Sequence, residues 1–190
     1  MIDCVEGGHI VEYIINQFLW KPRTHMQKNP KYPSPYIPKG REILYVPLSN
    51  LYMTQARDYA RVNSLDKEMP NTSIIVKAGK VIGIGANGSN YHEQHGCERV
   101  RQNIPTGEGY ELCEGCHPKN HGESRAINDA IEKGNDPKEA DLYMWGHWWC
   151  CKNCWEKIIS SGIKNVYLLE NSEVLFNKKD PENIIGHQLD

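Results

Sequence analysis

Two short motifs carry side chains that can bind a metal ion and move a proton. The first is His121-Gly122-Glu123 and the second is Cys151-Lys152-Asn153-Cys154. One imidazole and two thiolates supply three zinc ligands and leave the fourth tetrahedral position open, which suits a zinc ion that activates water. Glu123 follows His121 by two residues, so its carboxylate can reach that water without being a ligand. We therefore expect zinc bound by His121, Cys151 and Cys154, with Glu123 as the catalytic acid and base.

Helices are predicted to begin at both motifs. The segment ESRAINDAIEKG has helical apolar spacing and ends at Gly134, and a second helix is predicted from about Lys152 to Ser160. The positive end of a helix dipole favours thiolate over thiol. Strands are predicted in ADLYMWG, before the second helix, and through Val166 to Leu169, after it. This alternation indicates an α/β sheet with helices packed on it.

The segment before the first motif predicts a helix and a hairpin. The helix begins near Leu51, with Ser49 or Asn50 available as its N-cap. Two β-branched runs flank Ala78-Gly79-Lys80, which predicts a hairpin whose turn is set by glycine and whose second strand ends at Asn87-Gly88. The Asn-Gly pair is consistent with a simple turn as well as with a substrate contact.

A second group of cysteines lies between the hairpin and the first motif. Residues 89–120 have little periodicity, and a loop of that length is unusual in a compact domain unless something orders it. We expect a structural zinc site formed by Cys97, Cys113 and Cys116, with the fourth ligand open among the neighbouring histidines His92, His95 and His117. Unligated surface thiols are the alternative. Binding of Cys113 and Cys116 to the catalytic metal with His121 is disfavoured, since Glu123 and its helix match the first arrangement.

Composition narrows the cellular context and the class of partner. The chain has 190 residues and a formal net charge of −2, which is not the basic field that binds a nucleic-acid polymer. Seven cysteines, six of them between Cys97 and Cys154 beside histidines, indicate metal binding in a reducing compartment rather than disulfides. The sequence has neither a long apolar run nor a signal-like N-terminus, so we expect a cytoplasmic protein that does not bind membranes.

Taken together, HGE and CKNC resemble the zinc motifs of the cytidine and deoxycytidylate deaminase superfamily. The resemblance covers about Leu51 to Glu170 and includes NTSIIVKAGKVIGIGANGSN and SGIKNVYLLEN. It implies an α/β fold, a three-layer α/β/α sandwich with a central mixed sheet of about five strands. It also implies that Asn87 contacts the sugar of a nucleotide, that Arg99 or Arg101 meets its phosphate, and that the chain forms a homo-oligomer.

The function implied by the resemblance is conversion of dCMP to dUMP with release of ammonia. Catalytic zinc, and a second structural zinc as in some deoxycytidylate deaminases, are the implied cofactors. Two alternatives stay open: deamination of another base, such as cytidine or adenine in tRNA, and a non-catalytic, zinc-stabilised nucleotide-binding module. We expect a small-molecule nucleotide as the substrate and disfavour a nucleic-acid polymer as a partner.

One departure from the superfamily pattern affects the ligand assignment. Where the superfamily has proline before the first zinc cysteine, this chain has Cys150, within WGHWWCC. Cys150 is thus a rival ligand, but we favour Cys151 because it alone forms CxxC with Cys154. Two roles are open for His147 and the tryptophans Trp145, Trp148 and Trp149: stacking on a base, or packing in the core. We favour the core.

The predicted organisation has three parts. Residues 1–48 form an N-terminal helix and a Pro/Lys-rich arm, and residues 49–175 form the deaminase domain with the Cys/His-rich insert at 89–120. Residues 176–190 form a polar C-terminal tail.

Overall fold

The computed structural model describes residues 36–105 and 107–189. The helix predicted for residues 1–20 and the arm up to residue 35 lie outside the described residues. The strands are β1 (Ile43–Val46), β2 (Thr72–Lys77), β3 (Lys80–Ala86), β4 (Asp141–Trp145) and β5 (Asn165–Leu169). The α-helices are α1 (Leu51–Asn63), α2 (Tyr91–His95), α3 (Glu98–Arg101), α4 (Gly122–Glu132), α5 (Lys152–Ser160) and α6 (Ser172–Leu175). Short 3₁₀ helices span Tyr110–Leu112 and Pro118–Asn120.

The five strands form one mixed sheet in the order β1-β5-β4-β2-β3. β5 pairs in parallel with both β1 and β4, whereas β2 pairs antiparallel with β4 and β3. The β2–β3 hairpin turns through Ala78 and Gly79, which have φ values of 50° and 76°. Two positive φ values in a two-residue loop match the twist of the flanking strands, so the predicted hairpin and its glycine are confirmed.

Both faces of the sheet are covered by helices. On β4, Leu142 and Met144 pack into one apolar cluster with residues of α4 and α5, while Tyr143 and Trp145 pack into a second cluster with α1. This alternation is the two-residue period of a strand. The predicted three-layer α/β/α sandwich is therefore confirmed, and α4 and α5 lie together on one face.

The helices begin as the sequence predicts. Asn50 is the N-cap of α1, and its Oδ1 accepts hydrogen bonds from the N–H groups of Tyr52 (3.0 Å) and Met53 (3.2 Å). Helices α4 and α5 begin directly after His121 and Cys151. The candidate site residues His121 and Cys151 thus lie at helix starts next to the sheet.

Two segments differ from expectation. Residues Ile43–Val46, predicted as part of the N-terminal arm, form strand β1 and are buried throughout. A short apolar run buried on both faces has no period to reveal it, which is why the sequence pattern missed it. The predicted polar tail also packs on the core: Phe176 is 2% exposed and lies edge-on to Trp145 at 5.3 Å. Among the described residues, no helix is long and apolar enough to cross a membrane.

Candidate active site

The structure brings His121, Cys151 and Cys154 together. His121 Nδ1 lies 3.3 Å from Cys154 Sγ and 3.6 Å from Cys151 Sγ, and the three atoms lie within 4.8 Å of one another. Ligands of a tetrahedral zinc ion at bond lengths of about 2.0–2.3 Å stand roughly 3.5–3.8 Å apart. The spacing and the N,S,S donor set therefore fit zinc. Cys150 is fully buried and is not part of this cluster.

Close packing of helix α4 against the sheet sets the position of His121. A Cβ atom at Gly122 would lie 2.4 Å from Asn71 Oδ1, so a larger residue here would push the helix start away from the sheet. Asn71 is itself fixed, because its Nδ2 donates to the carbonyl of Trp145 at 2.9 Å. The glycine of the HGE motif thus allows the histidine and glutamate on either side of it to approach the strand ends.

The thiols of Cys151 and Cys154 differ in acidity, and Cys151 is the more acidic of the two. A hydrogen bond from the Cys154 thiol, aided by His121, lowers the pKa of Cys151 to about 4 although burial opposes ionisation. The same hydrogen bond and burial raise the pKa of Cys154. Burial disfavours the charged form of His121, but Cys151 and Glu123 outweigh it and raise the pKa of the imidazole. A cluster that already stabilises a thiolate is suited to a cation.

Glu123 lies in the first turn of α4 and is 5% exposed. Its carboxyl group contacts the thiols of Cys150 and Cys154. Burial raises the pKa of Glu123, with His121 acting in the opposite direction. A buried carboxyl beside the zinc ligands can exchange protons with a bound molecule while bulk water is kept away.

The second group of cysteines forms a separate cluster. His92, Cys97, Cys113 and Cys116 place their ligand atoms within 4.8 Å of one another. His92 Nε2 lies 3.3 Å from Cys113 Sγ and 3.6 Å from Cys116 Sγ, and Cys97 Sγ lies 3.5 Å from Cys116 Sγ. Three sulfurs and one nitrogen at this spacing make the closed donor set of a structural zinc site. His92 is the fourth member, which the sequence left open among three histidines.

The CEGC turn that carries Cys113 and Cys116 is built around His92. Cys116 N–H donates to the Cys113 carbonyl at 3.0 Å, which closes the turn. A Cβ at Gly115 would lie 2.3 Å from His92 Nε2, so glycine is needed to admit the ring. Burial opposes ionisation of Cys113, but N–H groups of Cys116 and Glu98 and contact with His92 lower its pKa to about 6.

Residues 48–170 match the family model described as the cytidine and deoxycytidylate deaminase zinc-binding region. The chain belongs to this family. The match covers more than half of the chain and includes both zinc motifs.

Several solved structures of deaminases are similar to this chain, and no curated protein matches it. The dCMP deaminase of cyanophage S-TIM5 in apo form is 19% identical, with 67% of this chain and 87% of that chain covered and a TM-score of 0.41. Guanine deaminase of Bacillus subtilis is 20% identical (62% and 60% covered, TM-score 0.38). The diaminohydroxyphosphoribosylaminopyrimidine deaminase/5-amino-6-(5-phosphoribosylamino)uracil reductase of Thermotoga maritima is 23% identical, and the match covers 62% of this chain but 28% of that protein (TM-score 0.36).

The Asn87-Gly88 loop is held by hydrogen bonds of the Asn87 side chain. Asn87 Oδ1 accepts from the N–H of Asn71 at 2.8 Å and lies 2.7 Å from Ser64 Oγ, while its Nδ2 donates to the Met69 carbonyl at 2.9 Å. The Asn87 side chain therefore fixes the loop, and its predicted contact with a sugar stays a prediction. Arg125, which the sequence did not indicate, donates to the carbonyls of Ala86 and Gly88 at 3.1 and 2.7 Å.

The two arginines expected to meet a phosphate are engaged within the insert. Arg99 is buried and donates to the carbonyls of Glu108 and Pro105, with its guanidinium 4.4 Å from the Tyr110 ring centroid. Arg101 pairs with Glu98 at the surface. Both side chains therefore make contacts that connect parts of the insert.

Three groups near the His121, Cys151 and Cys154 cluster were not predicted as site residues. The Tyr110 ring meets His121 edge-on at 4.9 Å. His147, assigned to the core, is half-buried; burial and the nearby His121 lower its pKa to about 4, so its ring is neutral and its Nδ1 accepts from the N–H of Trp148. The carbonyl of Cys116 lies 3.1 Å from His121 Nε2. Contacts between rings and the directions of backbone carbonyls depend on the fold, so the residue types in the sequence could not indicate them.

Proposed function

We propose that this chain is a zinc-dependent hydrolytic deaminase that converts dCMP to dUMP and releases ammonia. The observation that carries the proposal is the buried Glu123 carboxyl beside the His121, Cys151 and Cys154 cluster. The family match supports the reaction class. The choice of a deoxycytidine monophosphate goes further than that match and rests on the sequence resemblance and the charge of the chain.

His121, Cys151 and Cys154 would hold the catalytic zinc ion. When bound at a site with an open fourth position, zinc makes a water molecule acidic enough to react near neutral pH. The residues of the chain prepare the site: Nδ1 of His121 faces the two sulfurs, and its Nε2 faces a carbonyl that fixes the position of the proton. Both helix starts add positive potential at the thiolates.

Glu123 would perform the proton transfers. Water adds to C4 of the cytosine ring, Glu123 accepts the proton, and the same carboxyl protonates the exocyclic amine as the C4–N bond breaks. Water and dCMP are thereby converted to dUMP and ammonia. Burial suits this double role, because a raised pKa brings the acid and base forms of the carboxyl closer in free energy at neutral pH.

A free nucleotide fits this chain better than a polymer. The formal net charge of −2 offers no broad basic surface for a phosphate backbone. The Asn87-Gly88 loop is fixed by Arg125 and Asn71, which supports its assignment as a preformed wall for the sugar. Preformed walls reduce the entropy lost when a small ligand binds.

The second cluster would hold a structural zinc ion. His92, Cys97, Cys113 and Cys116 supply four ligands and leave no position for water, so this metal would order the insert rather than react. The insert consists of short helices and turns between residues 89 and 120, and such a segment needs an internal crosslink to stay ordered.

Turnover by purified, zinc-loaded protein tests the proposal. Ammonia release is measured with dCMP, CMP, deoxycytidine, cytidine, dCTP and a single-stranded oligonucleotide at equal concentrations. We expect the highest kcat/KM with dCMP. A higher value for any other member of the panel would overturn the substrate assignment, and no turnover on the panel would favour the zinc-stabilised binding module.

A further inference from the structure

A hydrogen bond directly connects the two groups of candidate metal ligands. The carbonyl oxygen of Cys116, a member of the second cluster, lies 3.1 Å from Nε2 of His121, a member of the first. His121 Nδ1 faces Cys151 and Cys154 at the same time. An imidazole that donates from one nitrogen presents its lone pair from the other, so this carbonyl selects the tautomer that can bind metal through Nδ1.

The contact is part of a wider connection between the CEGC turn and the start of α4. Asn120 Nδ2 donates to the carbonyls of Glu114 (2.8 Å) and Gly115 (3.3 Å), immediately before Cys116. The intervening chain is held by the N–H of Asn120, which donates to the His117 carbonyl at 2.8 Å. Three successive carbonyls of the turn, at residues 114–116, therefore bind residues 120 and 121.

The rest of the insert reaches the same imidazole from a second side. Tyr110 meets the His121 ring edge-on at 4.9 Å, with an interplanar angle of 83°. Tyr110 is in turn covered by the guanidinium of Arg99. The His121 ring is thus fixed by a carbonyl at its edge and by an aromatic ring against it, both supplied by the insert.

We infer that the second cluster is a positioning site for the catalytic metal ligand: metal bound by His92, Cys97, Cys113 and Cys116 sets the CEGC turn, and the turn holds His121 ready to bind zinc. The inference rests on the proposed zinc ligands and is independent of the substrate. A cluster that merely ordered the surface of the insert would not need its own backbone to contact the catalytic imidazole. Cys116 is the positioning residue, and it acts through its carbonyl oxygen.

Replacing a ligand of the second cluster tests this coupling, because a backbone carbonyl cannot be removed by substitution. We choose His92→Gln, with His95→Gln as the matched control; His95 is exposed, lies on the same short helix and is not in the cluster. Zinc is replaced by Co²⁺, and the affinity of the two-thiolate site is followed in its absorption spectrum by competition with a chelator. Loss of an outer hydrogen-bond partner typically lowers metal affinity roughly 10- to 100-fold.

We expect His92→Gln to bind one metal ion fewer and to hold the metal at His121 10- to 100-fold more weakly, and His95→Gln to match the unsubstituted protein. The His121 Nε2 proton in ¹⁵N-edited NMR provides a second readout: it should be protected in the control and should exchange faster in His92→Gln. Loss of the second metal with unchanged affinity at His121 would overturn the inference.

A titration of the unsubstituted protein decides the question if His92→Gln does not fold. Metal-free protein is titrated with ¹¹³Cd²⁺, and the signals of the three-thiolate and two-thiolate sites are followed separately. Coupled sites fill together, whereas independent filling would refute the coupling. These metal-binding readouts stand apart from turnover, so a protein that showed the coupling but did not deaminate dCMP would refute the proposed function alone.

Discussion

Replacing Glu123 with glutamine separates catalysis from metal binding. The substitution keeps the size of the side chain, which matters because the carboxyl contacts the thiols of Cys150 and Cys154 in a closed space. It removes the group that accepts and returns the proton. Since Glu123 is 5% exposed, solvent water has little access to take over its role.

The size of the expected loss in kcat follows from the burial of Glu123. General acid and base catalysis contributes about 10²- to 10⁴-fold, and an inaccessible site belongs in the upper half of that range. We therefore expect kcat to fall by roughly 10³- to 10⁴-fold, which corresponds to about 4–5.5 kcal/mol in activation free energy. KM and zinc content should change little, because glutamine still fits the space and Glu123 is not in the ligand cluster.

The assay is steady-state ammonia release on the best substrate, with zinc measured by elemental analysis. Glu132→Gln is the matched control, because Glu132 is exposed at the other end of the same helix. The control should keep full activity. If Glu123→Gln retained its zinc and turned over within tenfold of the unsubstituted protein, Glu123 would not be the acid and base, and the assignment of the reacting residues would be wrong.

Three further substitutions test the ligand register, the hairpin and a half-buried acid. Cys150→Ala should keep the catalytic zinc and lose about 1 kcal/mol of unfolding free energy, whereas Cys151→Ala should lose that zinc. If elemental analysis showed zinc lost from Cys150→Ala and kept in Cys151→Ala, Cys150 would be the ligand. Ala78→Asn should raise the unfolding free energy in urea by about 0.5–1 kcal/mol, because Ala78 is exposed with φ 50° and asparagine tolerates that conformation better; a loss of stability would contradict this. Burial raises the pKa of Asp141 despite a hydrogen bond from Asn165, so the folded state binds the Asp141 proton more tightly than the unfolded state does, and this carboxyl lowers stability as the pH rises through its folded pKa. Asp141→Asn should therefore gain stability relative to the unsubstituted protein at pH 7. The difference in urea unfolding should shrink as the pH falls through the raised folded pKa of Asp141, and it should be gone below about 3.9, where the carboxyl is protonated in both states. A difference independent of pH would refute the reasoning.

The two candidate zinc motifs were accessible to sequence reasoning because each lies within a few consecutive residues. HGE and CKNC each occupy the start of a predicted helix, and the structure places both starts on one face of the sheet. The spacing of CxxC identified Cys151 over Cys150, and the structure brings Cys151 to His121. Strand β1 was missed for the opposite reason: Ile43–Val46 is buried on both faces, so nothing in its pattern separates a strand from any other short apolar run.

In the second cluster, residue types alone were not sufficient to identify all four candidate ligands. Cys97, Cys113 and Cys116 were predicted as a group, but three histidines lie at comparable sequence distances from them. His92 is the one that meets the sulfurs, because Gly115 leaves room for its ring. The family resemblance implied phosphate contacts for Arg99 or Arg101. In the structure, Arg99 instead donates to backbone carbonyls of the insert and Arg101 pairs with Glu98.

By itself, the sequence determined which kinds of side chain are available and which elements carry them: candidate zinc ligands, a candidate acid and base, two helix starts and an α/β sheet. These depend on residue type and on spacing within one element, and both are local. Only the tertiary structure decided which groups meet across the chain, including His92 with the three cysteines and the Cys116 carbonyl with His121. The physical reason is that such contacts depend on backbone direction and close packing between distant segments, and backbone carbonyls are the same in every residue.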